Sequence, residues 1–335
     1  MHSQPVLGHH DTLVRLTTAA QDDQLFHAYL FEGPQGIGKA TVAIELAKFT
    51  NCAQPAQGHS CGRCNACQLI TSGTHPDVLV VEPSQETATP TITVAQVREL
   101  VRQSTYHRYS GAHRFCIVDP VEAMAAPAAN ALLKTLEEPG PSTTFILVTA
   151  NAGALLSTIV SRCQRVRFGP VPQAELIAWL ATRADPQRAD RAARLSLGCP
   201  GRALTLAQEE LDKRTQTRDD LIATLSSDLD ALYTWSTRLC RGQRRSWHDN
   251  VEQTFEILEE MLRDVTILSS NSTLPLLHHD LQPMLRDWAA RLGHKGVTRC
   301  SRAIVEGREQ LRANIAGRTL VETVLVRLKN ELGFA

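Results

Sequence analysis

Four cysteines, Cys52, Cys61, Cys64 and Cys67, crowd into 16 residues with the spacing C-x8-C-x2-C-x2-C. Thiolates two residues apart can both reach one ion that prefers tetrahedral coordination. Two overlapping C-x2-C pairs therefore describe a closed site for Zn2+, structural rather than catalytic because no coordination position stays open. His59 and His75 flank the cluster as weaker candidates. The chain has nine cysteines, an odd number, and does not read as a disulfide framework.

A second group reads as nucleotide chemistry. Gly33-x4-Gly38-Lys39 follows an apolar run and opens a helical pattern, the context a phosphate-cradling P-loop requires. In such a turn the backbone N–H groups around Gly33, Gly36 and Gly38 hold phosphate oxygens. The helix N-terminus adds positive potential, and Lys39 sits on the outer phosphates. The next residue should offer a hydroxyl to Mg2+. Here it is Ala40, with Thr41 one step further round the helix. Phe115-Cys116-Ile117-Val118-Asp119 is an apolar strand ending in an acid, where an NTPase carries a Mg2+-ligating aspartate. The neighbour that should activate water is Pro120, which cannot act as a base, and Glu122 follows two positions later. Two parts needed for hydrolysis are missing together, so the pocket reads as inactive. The plainer alternative is a glycine-rich turn kept for its backbone shape, with Asp119 an ordinary strand-end acid.

Ser161-Arg162-Cys163 also allows two readings. Arg162 is a solvated surface charge, or it is a finger inserted into a neighbour's nucleotide site, where a guanidinium stabilises the transferring phosphoryl group. Spacing does not separate the two.

The elements that must position these groups alternate in the first half. Residues 29–31, 78–81, 115–118 and 145–148 are short apolar runs and predict buried strands; helical patterns fall over 39–49, 92–101 and 128–136. Strands alternating with helices predict a parallel sheet with helices on both faces. After Gly169-Pro170 the strands stop. Three short helices are expected over 172–181, 185–197 and 202–209, and everything from about 211 reads as helical. Phe255, Leu258, Met261, Leu262 and Val265 make one stripe; Ile304, Leu311, Ile315 and Leu320 suggest a further helix pair.

The 335 residues allow two or three domains. Lys+Arg and Asp+Glu both number 35, for zero formal net charge. A chain that holds DNA alone through a dominant basic face would be more basic, which argues against an independent zinc-dependent nucleic-acid binder. Arg238, Arg241, Arg244 and Arg245 form a local basic cluster, read first as a solvated helix face. No apolar run approaches the ~18 residues of a membrane span, and the expected compartment is the cytoplasm.

Several strings then stand in a telling order. His27-Ala28-Tyr29-Leu30-Phe31 leads into the glycine turn, followed by the cysteines and by Gly73-Thr74-His75-Pro76-Asp77. Next come the run from Ala129 through Leu132-Leu133-Lys134-Thr135-Leu136-Glu137-Glu138-Pro139, then Ser161-Arg162-Cys163. Over residues 25–170 the chain resembles the clamp-loader branch of the AAA+ superfamily. The resemblance is weaker through Gly198-Cys199-Pro200-Gly201-Arg202 and from Asn314 to Leu325. It implies an AAA+ P-loop core over 1–168 with a zinc module at about 50–68. A helical lid over 169–208 and an all-α collar over 209–335 would follow. It further implies a ring with delta and ATP-hydrolysing gamma or tau subunits that places a sliding clamp on primer-template DNA during replication. In that family the non-hydrolysing stator gives the arginine of its Ser-Arg-Cys motif to a neighbour's ATP, a role that maps onto Arg162. Arg202 maps onto the second nucleotide sensor. The retained Gly38-Lys39 keeps ATP or ADP binding open for a degenerate pocket of Gly33, Gly36, Gly38, Lys39, Thr41, Asp119 and Arg202. An active gamma/tau-like motor is the alternative, but it would need a hydroxyl at position 40 and a carboxylate at 120.

Overall fold

A computed structural model describes residues 6–84, 90–109, 111–270, 272–313 and 315–334. The side chains of residues 209, 210, 245 and 312 lie outside it, and with them the Arg245 member of the basic cluster; Asn314 is likewise outside the described residues. The chain divides into two compact units, Met1–Gln208 and Glu209–Ala335.

The first unit is built on five parallel strands: β1 (Ala28–Glu32), β2 (Val78–Val81), β3 (Arg114–Val118), β4 (Thr143–Thr149) and β5 (Gln164–Arg167). Their order is β2-β3-β4-β1-β5. The strand that feeds the glycine turn thus sits inside the sheet, paired with β4 on one side and β5 on the other. Parallel strands covered on both faces need apolar side chains pointing both ways. β1, β3 and β4 have them, and every residue in the three is buried. Alternate residues part cleanly between two cores. Tyr29, Phe31, Phe115, Ile117, Ile146 and Val148 face α1 (His10–Gln21), α2 (Lys39–Asn51) and α3 (Asn65–Thr71). Leu30, Cys116, Val118, Phe145 and Leu147 face α4 (Val94–Ser104), α5 (Ala126–Glu137) and α6 (Ser157–Val160).

Three expectations need correction, and two elements lay outside them. Residues 78–81 do form a strand, but β2 is the sheet's edge, and Val80 is 43% exposed rather than buried. The helix expected over 92–101 starts at Val94, because Thr93 closes a capping box with Gln96 and leaves Ile92 outside. β5 and α1 were not anticipated: β5 offers only Val166 as an apolar signal, and α1 has no side-chain cap at His9. Ile315 lies between two helices and is 44% exposed, so it is no part of a buried stripe.

After the sheet come α7 (Gln173–Ala181), α8 (Pro186–Leu195) and α9 (Pro200–Thr205), then a π-helical turn over Leu206–Glu210. The second unit is all helix: α10 (Leu211–Ser226), α11 (Leu229–Leu239), α12 (Arg244–Ser269), α13 (Gln282–Arg312, broken at Gly293) and α14 (Gly317–Leu332). The stripe Phe255, Leu258, Met261, Leu262 and Val265 lies in its core with Ile304, Leu311 and Leu320. Buried charges are paired within it. Arg214 of α10 meets Glu260 of α12 at 2.8 Å, and the Asp264 carboxylate accepts from the backbone N–H groups of Leu277 and His278. Arg238 pairs with Asp220 at 3.0 Å, as a solvated helix face would.

One buried ion pair holds the lower rim of the sheet. Asp77, fully buried just before β2, accepts from Arg114 Nη2 at 2.6 Å and from the backbone N–H groups of Tyr109 and Gly111. Arg114 also donates to the Gln103 and Tyr106 carbonyls, so the pair ties the α4–β3 connection to both strands. Truncating one member strands the other charge in the interior, which costs about 3–5 kcal/mol. Asp77→Ala should therefore lower the urea midpoint by a loss of that size at unchanged slope. A loss below about 1 kcal/mol, the scale of a surface pair, would contradict this role.

Candidate functional site

The glycine turn has P-loop geometry. Gly33, Gly36 and Gly38 carry φ of 154°, 74° and 108°, values that only glycine adopts without strain. Lys39 opens α2 at the turn and is buried. Its Nζ donates to the Gly33 carbonyl at 2.6 Å and to the Pro34 carbonyl at 2.7 Å, so its own loop satisfies the ammonium. Burial pulls the Lys39 pKa down, opposed by the charges of Asp119 and Glu122. Asp119 follows β3, and burial pushes its carboxyl up while Lys39 opposes the shift. A cis peptide joins Asp119 to Pro120. Glu122 Oε1 accepts the Ala150 N–H at 2.9 Å, and its charge acts on both Lys39 and Asp119. Thr41 is exposed on α2.

Two segments close over this turn. Gly201, the second residue of α9, donates its N–H to the Gly36 carbonyl at 2.8 Å. A Cβ on Gly201 would stand 3.1 Å from Gly36 Cα, and one on Gly36 would stand 3.1 Å from the backbone nitrogen of Arg202. The two backbones meet where any side chain would force them apart. Arg202, half-buried on α9, is thereby held beside the turn. On the other flank, buried His9 donates from Nε2 to the Ile37 carbonyl at 2.9 Å and sets its ring edge-on to Phe168. Burial lowers the His9 pKa, with the Ile37 bond and the Glu175 charge opposing. Gly33, Gly36, Gly38, Lys39, Asp119 and Arg202 thus gather at one place. His9 and Gly201 complete it, and a lone histidine in a polar leader gave no sign of that.

Arg162 has partners of its own. It follows α6, and its Nε donates to Glu137 Oε1 at 2.8 Å; Nη2 bonds the same oxygen. Nη1 donates to the Thr158 carbonyl at 2.8 Å. The side chain is 33% exposed.

The cysteines converge between α2 and α3. The ligand atoms of Cys52, Cys61, Cys64 and Cys67 all lie within 4.8 Å of one another. The Sγ atoms of Cys52 and Cys64 are 3.9 Å apart, close to the edge of a tetrahedron with ~2.3 Å metal–sulfur bonds. Backbone N–H groups of Gln54 and Cys61 donate to Cys52 Sγ, and that of Cys64 donates to Cys61 Sγ, as suits sulfurs carrying negative charge. Burial opposes ionisation of Cys64, yet bonds from the Ala53 and Cys67 backbone outweigh it and bring the thiol down to about 6. Burial and the neighbouring Cys64 push Cys67 up to about 12. Thiolates packed this closely suppress one another, and a bound cation removes that conflict, so the donor set fits a thiophilic metal ion. Glu45, buried on α2, anchors the module by accepting the Ser60 N–H at 3.0 Å. His59 stacks on His10, and His75 Nδ1 accepts from the Asp77 N–H; neither belongs to the sulfur cluster.

The family profile described as "DNA polymerase III, delta subunit" matches residues 8–172. The chain is 43% identical over 183 residues to DNA polymerase III subunit delta' of Pseudomonas aeruginosa, covering 54% of this chain and 55% of that protein. It is 37% identical over 215 residues to the Escherichia coli subunit delta', covering 63% of each. Against subunit delta' of Bacillus subtilis it is 28% identical over 321 residues, 94% of each. The alignments to the first two relatives span less than two thirds of their length. With a parallel five-stranded α/β core, the four-cysteine cluster and the motif order together, the chain resembles the delta-prime subunits of bacterial DNA polymerase III.

Proposed function

We propose that this chain is a delta-prime-type subunit of a bacterial clamp loader. It does not hydrolyse ATP; it serves as a stator in a cytoplasmic ring with delta and gamma or tau subunits, which loads a sliding clamp on primer-template DNA. In this reading residues 1–168 are the AAA+ core, 169–208 the lid and 209–335 the collar that holds the ring together. The observation that supports it is the bonding of the glycine turn within this chain, where Lys39 donates to the Gly33 and Pro34 carbonyls and Gly201 to the Gly36 carbonyl. Ala40 and Pro120 remove a Mg2+ ligand and the water-activating base from the same pocket. Phosphoryl transfer asks for little beyond positioning and charge stabilisation, so losing both parts ends it. Any ATP or ADP held by Gly36, Gly38 and Lys39 would be bound without turnover. Arg162 then acts in trans, its guanidinium stabilising charge at the adjacent subunit's ATP. No geometric observation favours the motor alternative.

The purified chain should show no ATPase activity above background, and turnover that vanishes in Lys39→Ala would overturn the stator reading. In the reconstituted loader, Arg162→Ala should leave assembly intact and slow DNA- and clamp-stimulated hydrolysis. A single finger is worth about 10³–10⁵ at the site it serves, diluted here because other sites keep theirs. Lys should not rescue it, since an ammonium lacks the planar fork. Equal rates for the wild-type, Ala and Lys assemblies would return Arg162 to a surface charge.

The four sulfurs are proposed to hold one structural Zn2+ that organises a segment with few apolar anchors. Metal analysis should give close to one zinc per chain, lowered in Cys64→Ser. A metal-free preparation whose module stays equally resistant to proteolysis would count against a folding role for the ion.

A further inference from the structure

We propose that Glu137 is the positioning residue of the Arg162 finger, fixing the guanidinium so that its outer edge faces away from this chain; the inference rests on the finger reading above. A guanidinium presents five N–H donors in a rigid plane. Here the edge formed by Nε and Nη2 is taken by Glu137 Oε1, and the flank at Nη1 is taken by the Thr158 carbonyl. What remains is one N–H on each Nη, two donors for two phosphate oxygens. The brace therefore holds the group through two partners and leaves these donors over.

The brace itself is fixed. Glu137 ends α5, whose Leu132 and Leu136 are buried in the same core cluster as Ile159 and Cys163, on either side of Arg162. Both partners thus hang from one packed body. The negative end of the α5 dipole adds to the attraction. The side chains are 33% and 47% exposed, and an ion pair this open contributes little to stability. Its value lies in geometry: a long side chain that would otherwise sample many rotamers is held in one, as catalytic positioning requires.

The test is ATP hydrolysis by loaders reconstituted with delta, gamma and this chain, at saturating clamp and primed DNA. Five forms are compared: wild type, Arg162→Ala, Glu137→Ala, Glu137→Gln and the Arg162→Ala/Glu137→Ala double variant. The difference between wild type and Arg162→Ala defines the Arg162-dependent rate. Glu137→Ala should lose about nine-tenths of it, a tenfold positioning effect, in kcat and not in the KM for ATP. Glu137→Gln should keep most of it, because an amide oxygen still accepts from Nε and Nη2. The double variant should match Arg162→Ala, since two residues acting as one unit do not add. An undiminished Arg162-dependent rate in Glu137→Ala, or a double variant slower than Arg162→Ala, would overturn the positioning role and leave the finger standing. Glu137→Gln at the Arg162→Ala rate would do the same, by showing that charge and not the hydrogen bond matters. Equal rates for wild type and Arg162→Ala would remove the finger itself, and this inference with it.

Discussion

The pairing of β4 with both β1 and β3 is the contact on which the N-terminal unit depends. The seven residues of β4 are all buried, and its backbone joins the strand that feeds the glycine turn to the strand that ends at Asp119. Because all five strands run parallel, their C-terminal ends share one rim, where ligand sites of open α/β sheets form. The glycine turn leaves β1 there and Asp119 leaves β3 there, while the chain leaving β4 goes on to α6 and Arg162. Alternation splits each strand between two cores, so neither layer of helices can shift without exposing apolar surface.

On this frame the two arginine-bearing places have opposite characters. The glycine turn is closed inward: its lysine, its carbonyls and the glycine facing it from α9 satisfy one another. Arg162 is held by its own chain through Glu137 and Thr158 and stays partly exposed. Under the proposed function, a chain so built lends a group to a neighbour rather than turning over nucleotide itself.

How much of this could be read from the sequence follows the physics of each part. The strands β1, β3 and β4 were legible because burial on both faces demands continuous apolar runs, and the four-cysteine cluster because ligand spacing is local. β2 was over-read, since Val78-Leu79-Val80-Val81 looks like an interior strand and only the topology makes it an edge. β5 was missed because it is held by backbone pairing to β1 and by Arg165 and Arg167 gripping Glu32, which leaves no apolar pattern to see. The same limit hid Glu137 beside Arg162 and Gly201 beside Gly36. Those partners lie far apart in the chain, and nothing in either local sequence names the other. Asp77 stood in a recognisable string, yet its work as the buried acceptor for Arg114 emerged only from the fold.

The most direct measurement of the central claim is a structure of the assembled loader with a non-hydrolysable ATP analogue. The expected result places the Arg162 outer edge within hydrogen-bond reach, about 3 Å, of the γ-phosphate held by the adjacent subunit, with Glu137 still on Nε and with Lys39 of this chain on its own loop carbonyls. An Arg162 facing solvent at every nucleotide, or an analogue with its Mg2+ seated against Lys39 and Asp119 of this chain, would contradict the account.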